Sequence, residues 1–89
     1  MAFSDGMQAG AHTVTTAEAN ASSASITLNM VNPQYYHVHL VSSAGVLVAL
    51  TGYTVTLTNG TETSGVWSSA TLTVAGSLTA GQILYWMAA

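Results

Sequence analysis

Residues 53–58 read Tyr-Thr-Val-Thr-Leu-Thr, and this stretch decides the fold class. Tyr53, Val55 and Leu57 occupy one parity, and Thr54, Thr56 and Thr58 the other. Successive side chains of a strand point to opposite faces, so the stretch predicts a strand with one buried and one wet face. Thr suits that role twice over. Its β-branch favours the pleated backbone, and its hydroxyl is solvated. The same alternation recurs on both sides. In residues 24–31, Ile26, Leu28 and Met30 alternate with Ser25, Thr27 and Asn29. In residues 71–75, Thr71 and Thr73 flank Leu72. Thr contributes 13 residues and Ser 10.

Further strands follow from other patterns. Residues 34–42 place Tyr36, Val38 and Leu40 on one parity, and Tyr35, His37, His39 and Val41 on the other. Residues 46–50 and 82–87 are continuous apolar runs, the pattern of central or interface strands. Ser43-Ala44-Gly45 predicts a short hairpin, and Asn59-Gly60 a turn. Gly76 and Gly81 bracket the approach to the last strand. The one helix candidate is 16–21, with Thr16 as its cap, at most a turn and a half long. Residues 1–10 lack alternation and read as an extended N-terminal arm that orders against a partner. The expectation is therefore an all-β chain. Residues 11–89 would form a single small β-sandwich or partly closed β-barrel of about six or seven short antiparallel strands.

Composition narrows the function. Charged residues are 3% of the 89, with Lys+Arg 0 and Asp+Glu 3, against about 25% in ordinary soluble domains. A chain without a basic side chain offers nothing to a phosphate backbone or an anionic headgroup, so neither nucleic acid nor a membrane surface is expected as a partner. Lys and Arg chemistry is equally absent. With Cys 0, disulfides and thiolate sites are excluded. No apolar stretch approaches the ~20 residues that cross a bilayer. The opening MAFSDGMQAG has neither a basic region nor an apolar core and does not read as a secretory signal. A domain this small buries only about 60–65% of its extended surface, so oligomerisation is the expected route to stability.

No catalytic set emerges. Asp5, Glu18 and Glu62 are the only carboxylates. They fall in the arm or in loops, where solvated charges are the ordinary reading. No G-x-S-x-G elbow accompanies the serines and three histidines. The chain is expected not to be an enzyme. Asn20-Ala21-Ser22 and Asn59-Gly60-Thr61 match the glycosylation sequon, as a Ser/Thr-rich composition produces without function.

His37-Val38-His39 is the sharpest local motif. Residues i and i+2 of a strand share a face, so both imidazoles project together. Imidazole ligates zinc and iron. Two ligands do not close a site, but three copies around an axis would supply six. The bland reading is a packed or hydrogen-bonded pair. The motif resembles the His-x-His pairs of trimeric phage spikes and fibre tips. Tyr35, Tyr36, Tyr53, Tyr85, Trp67 and Trp86 could form a sugar platform, although Tyr and Trp are equally enriched at protein interfaces. Leu84, Tyr85, Trp86 and Met87 crowd large side chains onto both parities of the last strand. A terminal strand in so small a domain should have one wet face, so the second is expected to dock on another subunit.

Two stretches carry a family resemblance. AHTVTTAEANASSASITL at 11–28 and TLTVAGSLTAGQILYWMA at 71–88 look like the two ends of small structural proteins of tailed-bacteriophage virions. Residues 32–70 carry no such likeness. The resemblance implies a capsid decoration (cement) protein, or a tail or fibre element, with no catalytic residues. Such a protein is released by host lysis, which suits an exposed Ser/Thr-rich β domain without a signal. The expected function is binding to the outer capsid surface as a homo-oligomer, a trimer, with the major capsid protein as partner and no cofactor. Met1, Phe3, Met7, Leu84, Tyr85, Trp86 and Met87 are the expected assembly contacts. The alternatives are a spike or fibre element holding iron or zinc at His37 and His39, and a carbohydrate-binding module.

Overall fold

A computed structural model describes residues 7–89. Nine strands and one helix follow in chain order. They are β1 (Gln8–Thr13), α1 (Thr16–Ala21), β2 (Ser23–Thr27), β3 (Tyr36–Val41), β4 (Leu47–Val48), β5 (Thr54–Thr58), β6 (Glu62–Thr63), β7 (Val66–Trp67), β8 (Thr71–Ala75) and β9 (Ile83–Ala88). Seven of them build two antiparallel sheets, ordered β1-β9-β3-β4 and β2-β8-β5. The pair β6-β7 stands as a separate hairpin. The result is the expected all-β sandwich; among the described residues no barrel closes.

One core fills the space between the sheets. Val38, Leu40, Leu84 and Ala88 come from the four-stranded sheet, and Ala24, Ile26, Leu72 and Val74 from the three-stranded one. Leu28, Met30, Ala70 and Leu78 extend the core past the strand ends. Leu40, Leu72 and Leu84 are wholly excluded from solvent. Removing such a leucine side chain costs about 2–5 kcal/mol, a large part of a small domain's stability. The ladder of β2 and β8 runs on beyond the strand, with Leu28 N–H donating to Ala70 O and Ala70 N–H to Met30 O. This is why the alternation of residues 24–31 outlasts β2 itself.

Helix α1 occupies the expected residues, but Thr15, not Thr16, caps it. The Glu18 N–H donates to Thr15 Oγ1, and the Glu18 carboxylate accepts from the Thr15 N–H. This reciprocal capping box needs Thr three residues before Glu, a spacing that only Thr15 satisfies.

Two other expectations change. β1 begins at Gln8, so residues 8–10 are strand rather than arm. Its Ala- and Gly-rich sequence hides it, because Gly10 lies against the Trp86 indole; a Cβ there would come within 2.9 Å of Trp86 Cζ2. The apolar run at 46–50 reads as a central or interface strand, and it is not central. It yields only the two-residue edge strand β4, with Leu47 exposed and Val48 half-buried. The run is squeezed between the turn closed by Gly45 N–H on Ser42 O and the turn closed by Tyr53 N–H on Leu50 O. The run at 82–87, by contrast, does form the central strand β9, flanked by β1 and β3.

Candidate functional site

The central strand β9 sorts its side chains strictly by parity. Leu84 and Ala88 are buried in the core, and Trp86 packs against that core. Ile83, Tyr85 and Met87 point to the opposite side, where the described residues provide no second layer. Strand register extends this outer face. Met87 lies between Ala9 of β1 and His37 of β3. Tyr85 lies between Ala11 and His39, and Ile83 between Thr13 and Val41. Leu47 of β4 continues the last row beside Val41. The rows therefore hold alanines, large apolar groups, Thr13 and two imidazoles, without a carboxylate. Tyr85 stays 45% exposed and Leu47 66%.

The expected assembly residues separate on this geometry. Tyr85 and Met87 belong to the outer face. Leu84 and Trp86 do not, because the period of two turns them inward: Leu84 is at 0% exposure, and Trp86 stacks over Gly10. Met7 is exposed just before β1. Met1 and Phe3 lie outside the described residues, as does Asp5.

His37 and His39 project from the same face, as their spacing requires. Their Nε2 atoms are 2.9 Å apart, with the rings edge-on at a centroid distance of 4.4 Å. In the metal-free pair one Nε2–H donates to the other Nε2. The same separation suits two adjacent ligands of one ion. With metal–nitrogen bonds of about 2.1 Å, nitrogens at a right angle lie roughly 3.0 Å apart, the edge of an octahedron rather than the longer edge of a tetrahedron. Among the described residues no group of three or more His, Cys, Asp or Glu gathers. One chain thus offers two ligands and leaves the remaining positions open.

No family model, curated protein or solved structure matches this chain.

The aromatic residues are divided among separate elements. The Tyr53 hydroxyl donates to Ser77 O, and its ring lies over Gly76. Trp86 faces inward. Trp67 sits on the β6-β7 hairpin, and Tyr35 precedes β3.

The pair His12 and Glu18 had no signal as a site in the sequence. His12 Nε2–H donates to the Glu18 carboxylate, at 2.8 and 2.9 Å from its oxygens. Burial works to raise the Glu18 pKa. The Thr15 N–H, His12 and the Thr15 hydroxyl outweigh it and hold the carboxyl below its ordinary value. The arrangement ties α1 to β1 and is structural. Its one legible trace was the Thr-x-x-Glu spacing.

Proposed function

We propose that this chain is a non-enzymatic structural subunit, a capsid decoration protein that binds the outer surface of a phage shell as a homo-oligomer, a trimer. The single observation that carries the reading is the apolar outer face of the four-stranded sheet. Large exposed apolar patches on small domains mark contact surfaces. Size explains why assembly would be collective. Three six-residue strands, β1, β9 and β3, about 4.8 Å apart at about 3.3 Å rise give a planar footprint of roughly 15 × 20 Å, to which the two-residue β4 adds little. That is under half of the ~800 Å² per partner of a standard stable interface. Such a contact is weak in isolation and gains strength when repeated on a lattice and shared with the major capsid protein. A net charge of −3 adds little repulsion among crowded copies. The resemblance of residues 11–28 and 71–88 to phage virion proteins supplies the capsid setting. Co-expression with a major capsid protein of a tailed phage tests it. The chain should pellet with assembled shells at a fixed stoichiometry; shells that pellet without it contradict the proposal.

The His37–His39 geometry favours a second reading, a spike or fibre element whose copies share an iron or zinc ion. The pair lies on the same face, opposite Met87 and Tyr85, so subunits meeting there would bring further imidazoles close. Purified protein should then carry about one metal for every three chains, and chelation should dissociate the oligomer. Metal-free oligomers would rule this reading out.

A further inference from the structure

The three-stranded sheet ends at β5, and that edge is open. The hydrogen-bond ladder fixes which groups face outward. Gly76 N–H donates to Ser22 O, and Leu28 N–H to Ala70 O. Even-numbered residues of β8 therefore bond toward β2, and odd-numbered ones toward β5. With Thr56 opposite Thr73, the even residues of β5 bond to β8. The N–H and C=O groups of Val55 and Leu57 are left directed away from the sheet.

The sheet's other edge is handled differently. Just past the end of β2, the Gln8 side-chain amide takes up the backbone groups of one residue: Asn29 N–H donates to Gln8 Oε1, and Gln8 Nε2–H to Asn29 O. Among the described residues β5 has no such side-chain partner. It also lacks the usual guards of an edge strand, for Thr54–Thr58 contains no Lys, no Pro and no charge. Its apolar side chains, Val55 and Leu57, are only half-buried.

We infer that β5 pairs antiparallel with β5 of a second copy, about a two-fold axis at Thr56. The strand is its own complement. Val55 of one chain faces Leu57 of the other, so each copy's free N–H groups meet the other's free carbonyls. The uncharged edge opposes the approach with no like-charge repulsion. Val55 and Leu57 gain cover from their counterparts, and the two small sheets become one continuous six-stranded sheet. This contact is separate from the outer face of the four-stranded sheet and does not depend on the capsid reading.

The two-fold axis gives a sharp test. Thr56 would lie across from its own copy, with Cβ atoms about 4.5–5.5 Å apart. Thr56→Lys and Thr56→Glu place like charges there, and each should weaken self-association by roughly tenfold in sedimentation analysis. Mixing the two variants should restore association as a heterodimer. Thr73→Lys, on the same face of the central strand β8, should have far less effect. Unchanged association in both Thr56 variants, or no rescue on mixing, would overturn the inference. Hydrogen exchange on the unaltered chain provides an independent reading. The Val55 and Leu57 amides should exchange more slowly as concentration rises, and concentration-independent exchange would overturn the pairing. Tyr85→Thr should leave this protection intact, which separates the β5 contact from assembly through the other sheet.

Discussion

The sandwich has two outer faces that share one core and one chain, yet they are built from opposite materials. The three-stranded sheet turns Ser23, Ser25 and Thr27 outward from β2, Thr71, Thr73 and Ala75 from β8, and Thr54, Thr56 and Thr58 from β5. Only Ala75 lacks a hydroxyl, and Ser25 Oγ and Thr73 Oγ1 lie 3.2 Å apart. The four-stranded sheet turns out Ile83, Tyr85, Met87, Val41 and Leu47 beside the two imidazoles. With no Lys or Arg in the chain, hydroxyls are the main means of solvating a strand. The chain uses them on one face and withholds them from the other. Thr serves a strand as well as Ile or Tyr does, so strand formation does not require the second composition. The difference teaches that solubility is provided by one outer face and contact by the other.

Giving the apolar face the chemistry of its counterpart should have the largest effect. Tyr85→Thr combined with Met87→Thr removes two large side chains from the centre of that face. Self-association should weaken by about a hundredfold or more, given about 1.5–3 kcal/mol for each large apolar group kept from water. The circular dichroism of the fold should persist, since neither residue belongs to the buried core. Sedimentation velocity reads this directly.

The inner side of the same strand should respond in stability instead. Gly10→Ala pushes a methyl into the Trp86 indole and should cost about 1–3 kcal/mol of unfolding free energy, seen in urea titration. If it changes association but not stability, Trp86 has been placed on the wrong side. On the hydroxyl face, Thr54→Ala at an exposed position of β5 should alter stability by no more than about 0.5 kcal/mol, the ordinary result for an exposed surface position.

The smallest effect concerns pH. Because folding lowers the Glu18 pKa, its contribution to stability is complete above the ordinary carboxylate range. It is lost as pH falls through the folded value. Thermal melts should show a modest acid-side loss, reduced in Glu18→Gln.

Much of this contrast was legible in the sequence, because period 2 is a geometric necessity. The Thr alternation marks β5 and β8, the run at 82–87 marks the central strand, and His37 and His39 had to share a face. Less was legible where tertiary packing overrides local preference. β1 carries small residues on both parities, so it resembles an arm; the indole that explains Gly10 is 76 positions away in sequence. The run at 46–50 is as apolar as a core strand, yet two turns confine it to an edge. The crowded residues of β9 announced two apolar faces without saying which was which. Only the register with β1 and β3 assigns Leu84 and Trp86 to the core, and Tyr85 and Met87 to the surface.

Hydroxyl-radical footprinting of the assembled protein, read by mass spectrometry against a dilute monomeric sample, tests the division of labour most directly. Tyr85 and Met87 should be strongly protected on assembly, while Trp67 on its separate hairpin keeps its monomer rate. Equal oxidation of Tyr85 and Met87 in both samples would mean that the apolar face stays wet, and the account would fail.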